Sequence, residues 1–230
     1  MARPVYTEEC LESFCGNVST CQLTREDIDL LNQHRVEVKF KKGEIICKQG
    51  SFANHLIYIK DGLSKSYLED DNKVQIICIN PGNCILGIQS LTTQGVFHYS
   101  VAALEDVYAC LFDMDVVKTI TKRNAGFAYA LLTRANEAQV LTYDRFFSLT
   151  MKQLHGRMAD ILICLTDRVY KSDSFTVDLS RKDLAELTAM SNESATRVLK
   201  DFKDDKIIVL DGKSITILDR KKLQQVSKFG

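Results

Sequence analysis

Between Arg35 and Asp113 apolar and polar positions follow each other at short range. Val36-Glu37-Val38-Lys39-Phe40 alternates strictly, the period of a half-buried strand. Glu44-Ile45-Ile46-Cys47, Leu56-Ile57-Tyr58-Ile59-Lys60 and Val74-Gln75-Ile76-Ile77-Cys78-Ile79 are short runs rich in β-branched and aromatic residues. Turn signals separate them: Lys42-Gly43, Gln49-Gly50, Asp61-Gly62, Asp70-Asp71-Asn72 and Asn80-Pro81-Gly82. Strands of this size at this spacing predict an all-β barrel or roll.

The pattern then changes. From Met114 to Lys171 there is no proline, and Gly126 and Gly156 are the only glycines. Leu131, Ala135, Ala138, Thr142 and Leu149 recur in steps of four and three, with Arg145 filling the one gap. That stripe has the form of a coiled-coil seam between two copies. It also fits an amphipathic helix packed on its own β domain, and the dimer helix is the favoured expectation.

A third section begins near Phe175. Ser180 with Asp183 three residues on predicts a capped helix start, and Leu184, Ala185, Leu187 and Thr188 make a short amphipathic helix. Met190-Ser191-Asn192-Glu193 offers a turn and a second cap. In a helix from Glu193 to Phe202, Ala195, Val198, Leu199 and Phe202 take the buried face. Lys206–Leu210 and Ser214–Leu218 flank Asp211-Gly212-Lys213 and read as a hairpin with an Asp-Gly turn. Two short helices followed by a hairpin are the layout of a winged helix-turn-helix.

Composition narrows the function classes. The 230-residue chain has 30 Lys and Arg against 30 Asp and Glu, so basicity gives no signal for nucleic acid. No apolar run approaches the roughly 18 residues of a membrane helix, and the acids near the start break any signal-peptide core. No membrane partner and a cytoplasmic location are expected. The four histidines (His34, His55, His98, His155) are scattered without ligand spacing, and no Ser/His/Asp set or phosphate loop appears, so catalysis is not expected. Of the eight cysteines, Cys47, Cys78, Cys84 and Cys164 sit in apolar stretches and read as small buried hydrophobes. Cys10, Cys15, Cys21 and Cys110 remain.

The second short helix can carry DNA chemistry. Opposite its packing face stand Asn192, Glu193, Thr196, Arg197 and Lys200, with Ser191 at the cap. Arg can make a bidentate contact to guanine, and Glu can accept from cytosine N4. Glu193 and Arg197 are four apart and share a face, so a helix-surface salt bridge is the competing reading. From residue 176 to 230 there are 11 Lys and Arg against 9 Asp and Glu. Lys182, Lys200, Lys213 and Arg220-Lys221-Lys222 are candidate phosphate contacts. For this to work, Asp201, Asp204 and Asp205 must face away from the duplex.

Ser191 to Ile208, SNESATRVLKDFKDDKII, resembles the recognition helix and the start of the wing in the CRP/FNR family. KKGEIICKQG (41–50), IKDGLSKSY (59–67) and NPGNCILG (80–87) resemble that family's β-roll glycine turns, so Gly43, Gly50, Gly62 and Gly82 are expected at positive φ. The similarity spans nearly the whole chain. It implies an α+β chain: a β-roll (cyclic-nucleotide-binding-like jelly roll) plus a long dimerisation helix and a C-terminal winged helix-turn-helix. The divisions implied are an N-terminal Cys-containing segment 1–22, a β-roll sensor 23–115, a dimerisation helix 116–150 and a DNA-binding domain 151–230. The implied function is a sequence-specific transcription regulator that binds double-stranded DNA at a palindromic site as a homodimer and contacts RNA polymerase. Its β-roll would respond to a small-molecule or redox signal. The rival is a cyclic-nucleotide-type regulatory protein acting on a partner protein. The family's base-reading Glu and Arg match Glu193 and Arg197; Asn192 stands where cyclic-AMP receptors carry an extra Arg, which leans toward an FNR-type, TTGAT-like half-site.

The family's cyclic-nucleotide binders hold the ribose with a Glu and the phosphate with an Arg. Here Gly87, Ile88 and Gln89, then His98 and Tyr99, occupy that effector pocket. With no cation there, a buried cyclic phosphate would be uncompensated, so cyclic AMP is not expected to bind in the usual way. The resemblance implies instead a [4Fe–4S] cluster on Cys10, Cys15, Cys21 and Cys110, although Cys10-x4-Cys15 is longer than the family spacing. Ordinary thiols, or a Cys10/Cys15 redox pair, are the other two readings.

Overall fold

The structure is a computed structural model describing residues 23–71 and 73–230. The chain forms two compact units. One runs to Ser66 and resumes over Asn80–Val140; the other takes Tyr67–Ile79 and Leu141–Gly230.

The first unit opens with helix α1 (Arg25–Gln33), started by a capping box between Thr24 and Asp27. Eight strands follow along the chain, with most of β4 and β5 falling in the segment counted with the second unit: β1 (Arg35–Phe40), β2 (Ile45–Cys47), β3 (His55–Asp61), β4 (Ser64–Asp70), β5 (Lys73–Asn80), β6 (Cys84–Leu86), β7 (Ser100–Ala103) and β8 (Val107–Asp113). They make two four-stranded sheets, in the orders β1-β8-β3-β6 and β2-β7-β4-β5. The non-consecutive neighbours show a roll rather than a meander, which the alternating pattern alone does not reveal. β8 lies between β1 and β3, with Cys110 opposite both Glu37 and Tyr58. Leu56, Tyr58, Ile59, Val107 and Phe112 form the centre of the core.

Gly43, Gly50 and Gly62 have positive φ, as expected. At Gly62 an added Cβ would also lie 2.4 Å from the Asp106 carbonyl oxygen, so close approach and backbone conformation both require glycine. Gly82 departs from the expectation. The left-handed residue of that turn is Asn83, and Gly82 is needed because a Cβ would come within 2.9 Å of the Lys60 carbonyl oxygen.

Helix α2 (Met114–Arg123) follows β8, with Asp113 as its N-cap. Asn124 ends α2, and the long helix α3 (Ala125–Met151) begins directly after it. Asp27 is almost fully buried and braces this break. It accepts from Arg123 Nε at 2.9 Å and Nη2 at 2.5 Å, and from Asn124 Nδ2 at 3.1 Å. Burial pushes its carboxyl up, but these hydrogen bonds and those from Thr24 outweigh burial and hold it below the usual carboxylate range.

The expected seam is corrected at its first member. Leu131 and the nearby Phe127 are buried in this unit's own core. Six of the eight large exposed apolar residues of α3 lie on another stripe, Tyr129, Leu132, Val140, Tyr143, Phe147 and Met151, with Leu141 and Phe146 to either side of it.

In the second unit, helix α4 (Leu154–Cys164) runs into a π-helical turn, Leu165–Val169. Strand β9 (Ser174–Thr176) precedes α5 (Arg181–Thr188) and α6 (Asn192–Asp204). β10 (Ile208–Asp211), β11 (Ser214–Ile217) and helix α7 (Arg220–Phe229) complete it. The wing sheet has the order β10-β11-β9. Asp160 of α4 joins three segments: it accepts from Ser148 Oγ at 2.5 Å, Lys152 Nζ at 2.8 Å and Ser227 Oγ at 2.5 Å.

Candidate nucleic-acid interface

The α5–α6 pair is built as its sequence requires. Ser180 caps α5, and Asp183 completes the box, accepting from the Ser180 backbone N–H at 2.7 Å. The turn passes through Ala189 at φ +49, a left-handed position held without glycine, and Met190 N–H donates to the Ala185 carbonyl at 3.0 Å. Ser191 then caps α6, accepting from Ser194 N–H at 3.1 Å. Ala195, Val198, Leu199 and Phe202 are all buried, the face that 3.6-residue spacing assigns.

The opposite face is free. Ser191, Asn192, Glu193, Thr196, Arg197 and Lys200 are exposed together at the N-terminal half of α6. Thr196 Oγ1 bonds back to the Asn192 carbonyl at 2.8 Å, which fixes its rotamer. Among the described residues neither Glu193 nor Arg197 makes an ion pair or side-chain hydrogen bond. The surface salt bridge between them is therefore not formed, and both heads are available to a ligand. Meanwhile Asp201 lies 3.0 Å from His155 Nε2, and Asp205 lies 3.4 Å from Lys222 Nζ. Two of the three acids that had to turn away are thus engaged with the domain's own body.

The cationic candidates divide. Lys200 and Lys213 are exposed; Lys182 is exposed but 3.6 Å from Glu186. The Arg220-Lys221-Lys222 run is mostly spent inside the chain. Arg220 pairs with Asp167 and Asp173, and Lys222 with Asp205, leaving Lys221 as its exposed cation without such a pair among the described residues.

In the β-roll, Gly87 N–H donates to Tyr99 Oη at 3.1 Å, and a Cβ on Gly87 would sit 3.0 Å from the buried Phe97 ring. Two aromatic rings thus flank the Gly87 turn. Ile88 and Gln89 open a 3-10 turn, Ile88–Leu91, and exposed His98 bonds to Thr93 Oγ1 at 2.7 Å. Cys10, Cys15 and Cys21 lie outside the described residues. Cys110 is buried on β8, at the floor of a groove that Glu37, Lys39, Lys60 and Tyr108 also line. Among the described residues no three His, Cys, Asp or Glu side chains are arranged to hold a metal ion. Likewise, no helix among them is long and apolar enough to cross a membrane.

Two family models match the chain, the cyclic nucleotide-binding domain over residues 37–124 and the Crp-like helix-turn-helix domain over residues 156–226. Transcriptional activator protein Anr of Pseudomonas protegens is 22% identical over 95% of this chain and 94% of its own. The CRP-like cAMP-activated global transcriptional regulator of Mycobacterium tuberculosis is 24% identical over 85% of this chain and 90% of its own. The solved structure of FixK2 from Bradyrhizobium japonicum superposes with a TM-score of 0.77 at 19% identity, covering 84% of this chain and 96% of that one, which shows the shared fold. Both domain types occur in the order that the resemblance implied.

The chain belongs to the CRP/FNR family. It is a DNA-binding transcription regulator with a β-roll, a long helix and a C-terminal winged helix-turn-helix. Several features of this CRP/FNR regulator escaped sequence reasoning. Helix α7 was missed, although Asp219 as N-cap before Leu223 and Val226 was a readable signal. Strand β9 is only three residues long, too short for periodicity to register. Cys78 is not an inert core residue, since Arg168 Nη2 donates to its half-buried sulfur at 3.3 Å, and Cys164 is half-buried rather than buried.

Proposed function

We propose that the exposed face of α6 enters the major groove of a palindromic site, with Arg197 reading guanine and Glu193 reading cytosine. The observation that carries this is the pairless state of both side chains on the face opposite a fully packed one. A guanidinium already held by a carboxylate would have to give up that partner on binding; here neither group does. Ser191, Asn192 and Thr196 border the pair, while Lys182, Lys200 and Lys213 contact phosphate. The test is a mobility-shift assay with a TTGAT-type palindrome. Specific retardation, lost in Arg197→Ala, is the expected result; equal binding to scrambled DNA would refute the reading.

The regulator acts as a homodimer through α3. Tyr129, Val140 and Met151 are spaced by eleven, as are Leu132 and Tyr143, and Asn136 and Phe147. An eleven-residue repeat slightly overshoots the straight helix period, so two copies packed along the stripe wind into a right-handed supercoil. Dimerisation makes the two recognition helices equivalent and explains a two-fold site. The divisions at 23–115, 116–150 and 151–230 serve as sensor, coupling helix and DNA reader in a cytoplasmic regulator that contacts RNA polymerase.

The signal we assign to the β-roll is an iron–sulfur cluster rather than cyclic AMP. The described member of the donor set is Cys110, a buried residue of β8 that lines a groove together with Lys39 and Lys60, and nearby cations favour thiolate ligands. Cys10, Cys15, Cys21 and Cys110 would hold the group, which supplies oxygen-sensitive redox chemistry when bound. Against cyclic AMP stand the rings of Phe97 and Tyr99 at Gly87 and the lack of a cation among Gly87, Ile88, Gln89, His98 and Tyr99. Anaerobic purification with iron and sulfide assay decides it: stoichiometric iron and sulfide support the cluster, and an iron-free product removes it while leaving the DNA reading intact.

A further inference from the structure

Within the second unit, the corner where α3 passes into α4 is closed by side chains. Gln153, the N-cap of α4, makes no side-chain capping bond, and the first turn of α4 holds no acid. Arg157 reaches back instead, its Nε donating to the Lys152 carbonyl at 2.9 Å. Three residues on, Asp160 binds both sides of the corner. Its Oδ2 accepts from Ser148 Oγ of α3 at 2.5 Å, and its Oδ1 from Lys152 Nζ of the connection at 2.8 Å.

Helix α7 is the third arm. Ser227 Oγ donates to Asp160 Oδ1 at 2.5 Å, and Lys152 Nζ lies 3.4 Å from Ser227 Oγ. Gly156, one turn before Asp160, packs against Gly230, the C-cap of α7. A Cβ on Gly156 would lie 2.5 Å from the Gly230 carbonyl oxygen. Going forward from Gly156 to Asp160 thus means going back from Gly230 to Ser227, so α4 and α7 run antiparallel in contact. The side chains of Lys152 and Asp160 are 17% and 20% exposed, and Ser148 is buried. Charge-assisted bonds hold firmly in such a setting, and removing one charge leaves the other desolvated without its partner. The same α4 grips α6. His155 Nε2 lies 3.0 Å from Asp201 Oδ2, and the His155 ring meets Phe202 edge-on with centroids 5.8 Å apart. Contacts therefore run from the end of α3 through Asp160 and α4 to α6.

We propose that Asp160 is a positioning residue for DNA binding: it fixes the direction of α6 against the end of α3, and so sets the half-site spacing that the dimer accepts. The consequence for spacing rests on the two-fold reading proposed above; the clamp at the corner does not. One base pair added between half-sites moves them about 3.4 Å apart and turns one about 35° relative to the other around the duplex axis. A reader clamped to α3 cannot follow that displacement on both sides at once. A reader on a loosened corner can.

The test compares the full chain with Asp160→Asn, which keeps the shape and removes the charge. Mobility shifts are read on a TTGAT-type palindrome, on the same palindrome with one base pair inserted at its centre, and on a single half-site. Insertion should cost the wild type at least tenfold in affinity and Asp160→Asn less than threefold, with half-site affinities of the two proteins within twofold. An unchanged insertion penalty in the variant overturns the inference. An equal loss on half-site and palindrome also overturns it, since that marks plain destabilisation of the reader. Ser148→Ala cuts the bond from α3 and leaves Lys152 and Ser227 in place. It should ease the penalty in the same direction, and no easing overturns the inference even where Asp160→Asn fails to fold. A wild type indifferent to the insertion refutes the two-fold reading, and hydrogen exchange of the free proteins then decides the clamp. Amides of α4 and α7 should exchange at least tenfold faster in Asp160→Asn while those of α5 and α6 keep their rates; unchanged rates in α4 and α7 overturn it.

Discussion

Glu193 and Arg197 illustrate how one spacing can serve two purposes. An i, i+4 acid–base pair on a helix ordinarily closes on itself, but here both ends are left open. Arg197→Ala should weaken binding to the specific site by about 1–3 kcal/mol and relax discrimination at one base pair of each half-site, read by competition with single-base variants. Asp27 is the opposite case, a carboxylate saturated by its neighbours. Asp27→Asn should cost about 2 kcal/mol by urea denaturation, less than a fully buried pair because Arg123 is half-exposed. Its carboxyl is depressed in the folded state, so its contribution is present above the unfolded value near 4 and fades as pH falls through the lower folded value. The wild-type minus Asp27→Asn difference in stability should therefore shrink in acid, and a difference independent of pH down to about 2 would contradict the assignment.

At the scale of elements, the β-roll depends on a few tight passages and the long helix on an unmatched stripe. Gly62→Ala combines a left-handed backbone with a contact to the Asp106 carbonyl, and should destabilise the roll by about 3 kcal/mol in chemical denaturation. Val140 is exposed in the single chain, so Val140→Glu should leave monomer stability within about 0.5 kcal/mol. The same change should raise the dimer dissociation constant at least tenfold by sedimentation, because a charge would be buried in the helix pair.

For the molecule as a whole, neutrality and DNA binding are reconciled by where charges are spent. The acids Asp167, Asp173, Asp201 and Asp205 consume Arg220, Lys222 and His155 within the second unit, while Lys200, Lys213 and Arg197 stay exposed. Lys213→Ala should reduce affinity uniformly across DNA sequences. In a dimer it removes two phosphate contacts, so the slope of log affinity against log salt should fall by about 2.

The helix pair was legible in the chain because its determinants are local: Ser180 with Asp183, Ser191 as a cap, and four apolar residues at helical spacing all act within a few residues of one another. The β-roll was legible as strands and turns for the same reason. Strand order was not, since β8 meets β1 and β3 through contacts that no short window contains. The identity of the exposed stripe on α3 followed the same rule: Leu131 and Leu132 are equally apolar, and only packing against the β core decided which of them is covered. The Cys78–Arg168 contact likewise joins residues far apart in sequence, and a cysteine in an apolar run looks inert until a guanidinium is brought beside it.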